Sequence, residues 1–498
     1  MSHKIRLHDL HPGRGSLTEQ LVARFTQAID DGVLAPGERL PTTRELARTA
    51  GVNPVTAARV YRRLAERGYV TATVGRGTFV RRLPPFAADA LDDGWQAVAL
   101  PAGAASARER PLQEALRLAG GGEVISLAAG FPSEASMPVA ELAAAAAAVF
   151  ADLGPGALSY TDVEGVPELR ELLAELGRRR GFAEEPDEIL VTTGARQAID
   201  LVVRTVVRPG DVVCVESPTF PGTLASIEGA GAELLGVPVD EDGLDVAVLE
   251  QILARHAVKL VALQSAAQNP TGRHLSPERR ARLVELARER SFFVLEDGAY
   301  ADTVFTGTPP LALRSEAPSH VLHAGSFSKT LGGGLRVGWV AARGPLFGRL
   351  VAAKLAADLN TSPFDQRVLA RFLREGSYDR VVARLPAFYR RRAELLRAAL
   401  DRQLEGELDV LEPLGGHHLW VTFRRRLDER TLTAEALRHG VAVIPGSALL
   451  VDAQPRTTLR VTFSGPADEE ALGEGAKRLA RAFRATLRAG RHATAPVA

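Results

Sequence analysis

Lys329 stands in Ser326-Phe327-Ser328-Lys329, behind the strand-like run 321–325 and seven residues ahead of Arg336, in a chain that otherwise avoids lysine. Only five of its 61 basic residues are lysine, so a plain surface charge here would ordinarily be an arginine. The difference is chemical, because a primary amine condenses with an aldehyde and a guanidinium does not. Other residues with chemical potential share the setting, each following a short β-branched or apolar run. Thr193-Gly194-Ala195-Arg196-Gln197 follows residues 189–192 and opens a helical stretch, so its free backbone N–H groups can cradle a phosphate. Ser326 and Arg336 flank Lys329 and complete such a cup, the arginine through paired charge-assisted bonds. Asp297 closes the run 292–297, and Tyr300 is three residues on; Asn269 lies in Asn269-Pro270-Thr271-Gly272 and Phe220 in Thr219-Phe220-Pro221-Gly222. Singly, each has a plainer reading as solvated charge, helix cap, ordinary turn or core.

Together they meet the demands of one cofactor. Pyridoxal 5'-phosphate requires an amine for its aldehyde, anion donors for its phosphate, an acid for the pyridine nitrogen, donors to the phenolic oxygen and a flat surface under the ring. Lys329 supplies the first; Gly194, Ala195, Arg196, Ser326 and Arg336 the second; Asp297 the third; Asn269 and Tyr300 the fourth; Phe220 the last. No metal is called for.

These groups need a framework, and 498 residues suggest two to four domains. A hydrophobic content of 46% with 5% aromatics is enough for a sizeable core rich in alanine, leucine and valine. The single cysteine, Cys214, sits in an apolar run and reads as a small buried hydrophobe, so no disulfide forms within the chain. No stretch reads as the eighteen or so apolar residues of a membrane span, and the N-terminus leads into no signal core; a cytoplasmic protein without membrane contact is expected. Net charge is +1, unevenly spread: residues 1–82 hold 14 basic against 7 acidic side chains, the remainder 47 against 53. A cationic front on a mildly acidic body is expected if only the front meets a polyanion.

That front has the pattern of a helix-turn-helix. Residues 16–31 carry apolar positions on one helical face; Thr42 and Glu45 form a capping box for a second helix; Asn53 as cap and Pro54 at the first position open a third, running to Arg67. Runs 69–73 and 77–81, joined by Val74-Gly75-Arg76, predict a hairpin with a basic tip. The third helix would enter the major groove by its N-terminal end, which makes Asn53, Val55, Thr56 and Arg59 candidates for base edges or nearby phosphates. Arg44 and, at the hairpin tip, Gly75 and Arg76 would hold phosphate or minor groove. The motifs Leu40-Pro41-Thr42-Thr43-Arg44-Glu45-Leu46-Ala47, Gly51-Val52-Asn53-Pro54-Val55-Thr56 and Gly75-Arg76-Gly77-Thr78-Phe79-Val80 resemble the winged helix of GntR-type bacterial regulators over about seventy residues. Many of those carry arginine where Pro54 stands, so the operator is not carried over.

Residues 83–122, rich in Ala, Pro and Gly, read as a linker with one helix at 112–118. Beyond it, runs 189–192, 212–215, 260–263, 292–295 and 321–323 alternate with amphipathic helices, which predicts a mostly parallel sheet covered on both faces, with ligands at the carboxyl ends of its strands. The order and spacing of the cofactor residues resemble fold-type I pyridoxal phosphate enzymes, the aspartate aminotransferase superfamily, over residues 123–487. The resemblance implies an α/β body with a smaller α+β C-terminal domain, and an internal aldimine on Lys329. It assigns Arg460 to a substrate α-carboxylate and Tyr160 to the phosphate of a neighbouring subunit, hence a homodimer. Gly333 stands where proline is common in that family.

A GntR-type winged helix (residues 10–82), a linker (83–122) and an aminotransferase-like body (123–487), in this order, resemble the MocR-type subfamily of GntR bacterial transcriptional regulators. The implied function is a regulator that binds double-stranded operator DNA and senses an amino compound through external aldimine formation. The alternative is a working transaminase with an appended DNA module, for which the residue set is complete; a third reading, a body serving only for dimerisation, sits poorly with an intact Schiff-base lysine.

Overall fold

The computed structural model describes residues 16–30, 33–34, 37–66, 69–73, 77–80, 124–305, 308–452 and 455–493. Gly75, Arg76 and the expected linker with its helix lie outside them. The chain divides into two compact units, Met1–Ala104 and Ala105–Ala498.

In the first unit, helices Leu17–Asp30, Thr43–Ala50 and Pro54–Glu66 precede the antiparallel pair Val70–Thr73 and Gly77–Val80. The capping box forms: Thr42 N–H donates to Glu45 Oε2 (2.8 Å) and Glu45 N–H to Thr42 Oγ1 (3.3 Å). Gly51 ends this helix at φ 64°, in the left-handed region that favours glycine. The next helix starts as its sequence predicts, with Thr56 N–H donating to Asn53 Oδ1 at 2.7 Å. One apolar face of each helix closes the core around Leu21, Phe25, Leu46, Val60 and Leu64.

The second unit is built on an eight-stranded sheet, in spatial order Ile189–Thr192, Gly338–Ala341, Val321–Ser326, Phe293–Asp297, Val258–Leu263, Val212–Ser217, Glu233–Asp240 and Gly243–Leu244. Gly338–Ala341 runs antiparallel to both neighbours, Gly243–Leu244 closes one edge antiparallel, and the remaining pairings are parallel. Central strands buried on both faces read as unbroken apolar runs, which is why Val212–Ser217 and Val321–Ser326 lack alternation. Cys214 is buried there, its thiol pushed up to about 12 by desolvation.

A second, antiparallel sheet orders Leu408–Leu411, His418–Phe423, Thr458–Thr462 and Ile444–Pro445, flanked by helices Leu385–Gln403 and Glu469–Ala493. Its register sets His418 opposite Thr462 and Trp420 opposite Arg460. The short parallel pair Ile125–Ser126 with Val441–Ala442 ties the start of the body to this layer and brings Ala128 and Gly130 beside it.

One expectation needs correction. Val139–Leu158 is long and apolar enough, by composition, to pass for a membrane span, with a mean hydropathy of 1.3. It is an α-helix only over Val139–Leu153, about 22 Å long against a ~30 Å hydrocarbon layer, it carries Glu141 and Asp152, and it ends at Gly154-Pro155. Val139, Phe150, Leu153 and Leu158 are exposed on it and just beyond it.

Candidate functional site

The carboxyl ends of the parallel strands gather the cofactor candidates. Val321–Ser326 delivers Ser326 and then a 3-10 turn, Phe327–Lys329. Lys329 Nζ donates to Gly130 O at 2.8 Å and lies 5.4 Å from the centre of the Tyr300 ring. Burial, helped by the Arg460 charge, pulls its pKa down to about 8 against the opposing pull of Asp297. Near neutral pH such an amine is neutral in a far larger fraction of molecules than a free lysine.

Asp297 is the last residue of its strand. Its Oδ2 accepts from Gln264 Nε2 (2.8 Å) and its Oδ1 from Ala299 N–H (3.0 Å), and burial raises its pKa. A buried carboxylate of this kind is completed by a cation. Gln264 also accepts from Asn269 N–H at 2.6 Å through Oε1, so one side chain ties Asp297 to Asn269. Behind it Glu216, fully buried, accepts from Gln264 N–H at 2.9 Å; desolvation lifts its pKa to about 8.

Arg460, buried on Thr458–Thr462, donates to Ala128 O (2.8 Å) and Asn269 Oδ1 (3.2 Å), while its Nε has no partner. Desolvation draws its pKa down to about 10. Tyr300 is buried, its hydroxyl 3.0 Å from His418 Nε2, and its pKa is raised by burial.

A cup for an anion forms nearby. Gly194, at φ 88°, caps the helix Ala195–Val206, whose opening N–H groups have no acceptor within the helix. Arg336 Nη2 donates to Thr193 O at 2.9 Å and Nη1 reaches Ser328 Oγ at 3.5 Å; Ser328 Oγ is 3.0 Å from Ser326 Oγ. A Cβ on Gly194 would sit 3.0 Å from Arg336 Nη2, so the bare backbone is what lets the guanidinium close over the turn. Lys354, Asp358 and Gln197 buttress the loop from behind, with Gln197 accepting from Thr193 N–H at 2.7 Å.

Lys329, Asp297, Tyr300, Asn269 and Arg460 are therefore brought together, as are Gly194, Ala195, Ser326 and Arg336. Arg196 is exposed, and half-buried Phe220 packs with it around Gly222, where an added Cβ would meet both. Tyr160 is 81% exposed. Sequence reading missed Gln264, Ser328, His417 and His418. Ser328 shares the Lys329 tetrapeptide, and adjacent histidines in Gly415-Gly416-His417-His418 were a visible signal in a chain with eleven.

On the first unit, Arg44, Asn53 and Arg59 are exposed, Thr56 is half-buried, and Val55 is 65% exposed at the start of Pro54–Glu66. The opposite face, Ala57, Val60, Tyr61 and Leu64, is buried, so this helix offers its N-terminal end outward. Arg39, which sequence reading did not single out, lies against Gly77 at the base of the hairpin.

Comparison with known proteins agrees with this architecture. Residues 17–80 match the gntR family of bacterial regulatory proteins, and residues 122–479 match aminotransferase class I and II. The chain is 33% identical over 495 residues to the HTH-type transcriptional regulator TauR of Rhodobacter capsulatus, covering 95% of this chain and 97% of that protein. It is 34% identical over 390 residues to the 2-aminoadipate transaminase of Thermus thermophilus, covering 77% of this chain and 96% of that protein. The crystal structure of LysN, an alpha-aminoadipate aminotransferase of Thermus thermophilus complexed with N-(5'-phosphopyridoxyl)-L-leucine, superposes with a TM-score of 0.73 at 32% identity, over 79% of this chain and 99% of that one. The chain belongs to the GntR-type helix-turn-helix transcriptional regulators of the MocR kind, whose body is an aminotransferase of class I and II. That family's body is a pyridoxal phosphate fold.

Proposed function

We propose that this regulator holds pyridoxal 5'-phosphate on Lys329 and reads an amino compound bearing a carboxylate, in the cytoplasm and as a homodimer on operator DNA. The observation that carries the reading is the convergence of a lowered-pKa lysine, a buried carboxylate held by Gln264 and Ala299, and a buried arginine with an unused N–H. Bound there, the cofactor supplies an aldehyde that exchanges one primary amine for another and a ring that withdraws electrons.

The residues divide the work. Asp297 would pair with the ring nitrogen and favour its protonated form; Asn269 and Tyr300 would donate to the phenolic oxygen. Gly194, Ala195, Ser326, Ser328 and Arg336 hold the phosphate, with Arg196 at their rim and Phe220 as the ring's platform. Arg460 exchanges Ala128 O and Asn269 for the effector's carboxylate, through a planar fork suited to it. A Lys329 ε-amine released by an incoming amine would change the charge facing Gly130, Asp297 and Arg460, at a position where burial lowers an amine's pKa. Different affinities of the effector for two arrangements of the body then bias DNA binding.

The exposed apolar side chains of Val139, Phe150, Leu153 and Leu158, with Tyr160 beyond them, support a dimer in which Tyr160 reaches the partner's phosphate. On DNA, Val55 suits a thymine methyl, Asn53, Thr56 and Arg59 lie at the groove-facing end, and Arg44 and Arg39 suit phosphates. Gly75 and Arg76 belong to the expected wing tip. The full residue set and the identity to a transaminase favour one second reading, residual or full transamination, with Lys329 moving the proton.

One experiment separates them. Amino acids, γ-amino acids and free pyridoxal phosphate are titrated while cofactor absorbance and operator occupancy are followed in the same samples. The regulator reading expects an amine to change occupancy without stoichiometric keto-acid release. Rapid multiple turnover with a 2-oxo acid and unchanged occupancy refutes it.

A further inference from the structure

His418 is held from both sides. Its Nε2 is 3.0 Å from the Tyr300 hydroxyl and its Nδ1 is 2.8 Å from Thr462 Oγ1, the residue directly across the sheet. Thr462 Oγ1 is in turn 3.4 Å from Ala128 O, which already accepts from Arg460. The imidazole lies against Gly130, the residue whose carbonyl receives Lys329: a Cβ there would be 2.5 Å from His418 Cε1 and 3.3 Å from Tyr300 Oη. Desolvation, reinforced by Arg460, His417 and Lys329, keeps the ring neutral. A neutral imidazole has one N–H and one acceptor, so only two arrangements satisfy the row.

In the first, Thr462 donates to Ala128 O, Nδ1–H donates to Thr462, and Nε2 accepts from Tyr300, whose proton then points away from the cofactor pocket. In the second, Thr462 donates to Nδ1 and Nε2–H donates to Tyr300, whose own proton turns into the pocket. Thr462, the imidazole and Tyr300 carry one proton each in both, so no charge is gained or lost. An anionic phenolic oxygen in the pocket needs a donor and selects the second arrangement.

We propose that His418 is the positioning residue of the Tyr300 hydroxyl: with the cofactor bound it is the Nε2–H tautomer, and it aims the tyrosine's proton at the phenolic oxygen. The inference rests on the pyridoxal phosphate reading and adds a residue to that site. Because the row donates to an oxygen that competes for the proton on the cofactor's nitrogen, it lowers the pH at which the bound cofactor changes colour. The groups facing the row are Arg460, Lys329, His417, Asp297 and Tyr389, and the variants below leave them in place.

The test combines a ring-nitrogen readout with the colour titration. In full-length protein labelled with 15N-histidine, two-bond 15N–1H spectra, assigned by the signal lost in His418→Phe, should show Nε2–H once the cofactor is bound. His418→Phe should raise the colour midpoint by roughly 0.5 to 1 pH unit, the scale of one hydrogen bond, and do nothing further in a Tyr300→Phe background. His418→Gln, whose amide donates to Tyr300, should restore most of the shift. A coloured protein with His418 as Nδ1–H, or shifts that simply add in the double variant, overturns this inference and leaves the cofactor reading standing. Protein that takes up no cofactor overturns both.

Discussion

Replacing Asp297 with asparagine removes one charge and almost no volume, so its effects can be apportioned. The carboxylate accepts from Gln264 Nε2 and Ala299 N–H and is raised in pKa by burial. Asparagine keeps an oxygen for Ala299 but opposes its own NH2 to that of Gln264, which cannot rotate without giving up Asn269 N–H. That conflict costs on the order of 1 kcal/mol, and relief of a buried charge offsets it. The empty protein should therefore melt within a few degrees of wild type. Because the native carboxyl is raised, its contribution is complete below the unfolded pKa and is lost as pH climbs through the folded one, so the variant should gain relative to wild type at higher pH. Cofactor binding has no such compensation. A charge-assisted bond to the ring nitrogen is worth about 1.5 to 3 kcal/mol, a loss of about 10- to 150-fold in affinity. Absorbance titration of pyridoxal phosphate at pH 7.5 measures it, and affinity within twofold of wild type would refute the assignment of Asp297.

Four further outcomes are expected. Glu216, pushed up to about 8, loses its stabilising contribution between the usual carboxylate range and pH 8; Glu216→Gln should melt above wild type by a margin that widens from pH 5 to pH 8, and a constant margin would contradict the shift. Arg460→Lys should weaken α-amino acid effectors by about tenfold or more while sparing amines without a carboxylate, read by the same absorbance titration. Arg44→Ala and Arg59→Ala should each lower the salt slope of DNA binding by about 1; an unchanged slope would remove them from the interface. Thr42→Ala should cost about 1 kcal/mol in urea unfolding of the winged-helix unit, because the hydroxyl that accepts from Glu45 N–H and donates to Glu45 Oε2 is lost.

Much of this was legible because it is local. Thr42 with Glu45 and Asn53 with Pro54 announce helix starts through bonds made within three residues. Strand ends were read short: Glu216, Ser217 and Ser326 look unlike β residues, yet lie inside strands, the first two on a parallel ladder and Ser326 on the antiparallel one opposite Gly338. The Lys329, Asp297 and Asn269 chemistry shows in composition and position, since Asp297 ends its strand and the other two follow theirs. The tie of Gln264 to Asn269 and Asp297, and the row from Thr462 through His418 to Tyr300, depend on strand register and on pairings between separate elements, Tyr300 and His418 being 118 positions apart. The apolar segment Val139–Leu158 shows the converse: its composition passes for a span, while its α-helix stops at Leu153 before Gly154-Pro155.

The central claim is one covalent bond, and reduction traps it. Full-length protein supplied with pyridoxal phosphate, treated with borohydride and digested, should yield a pyridoxyl group on the peptide containing Lys329 and none in Lys329→Ala, which should stay folded and colourless. A label on another lysine, or a variant that keeps wild-type absorbance, would contradict the account.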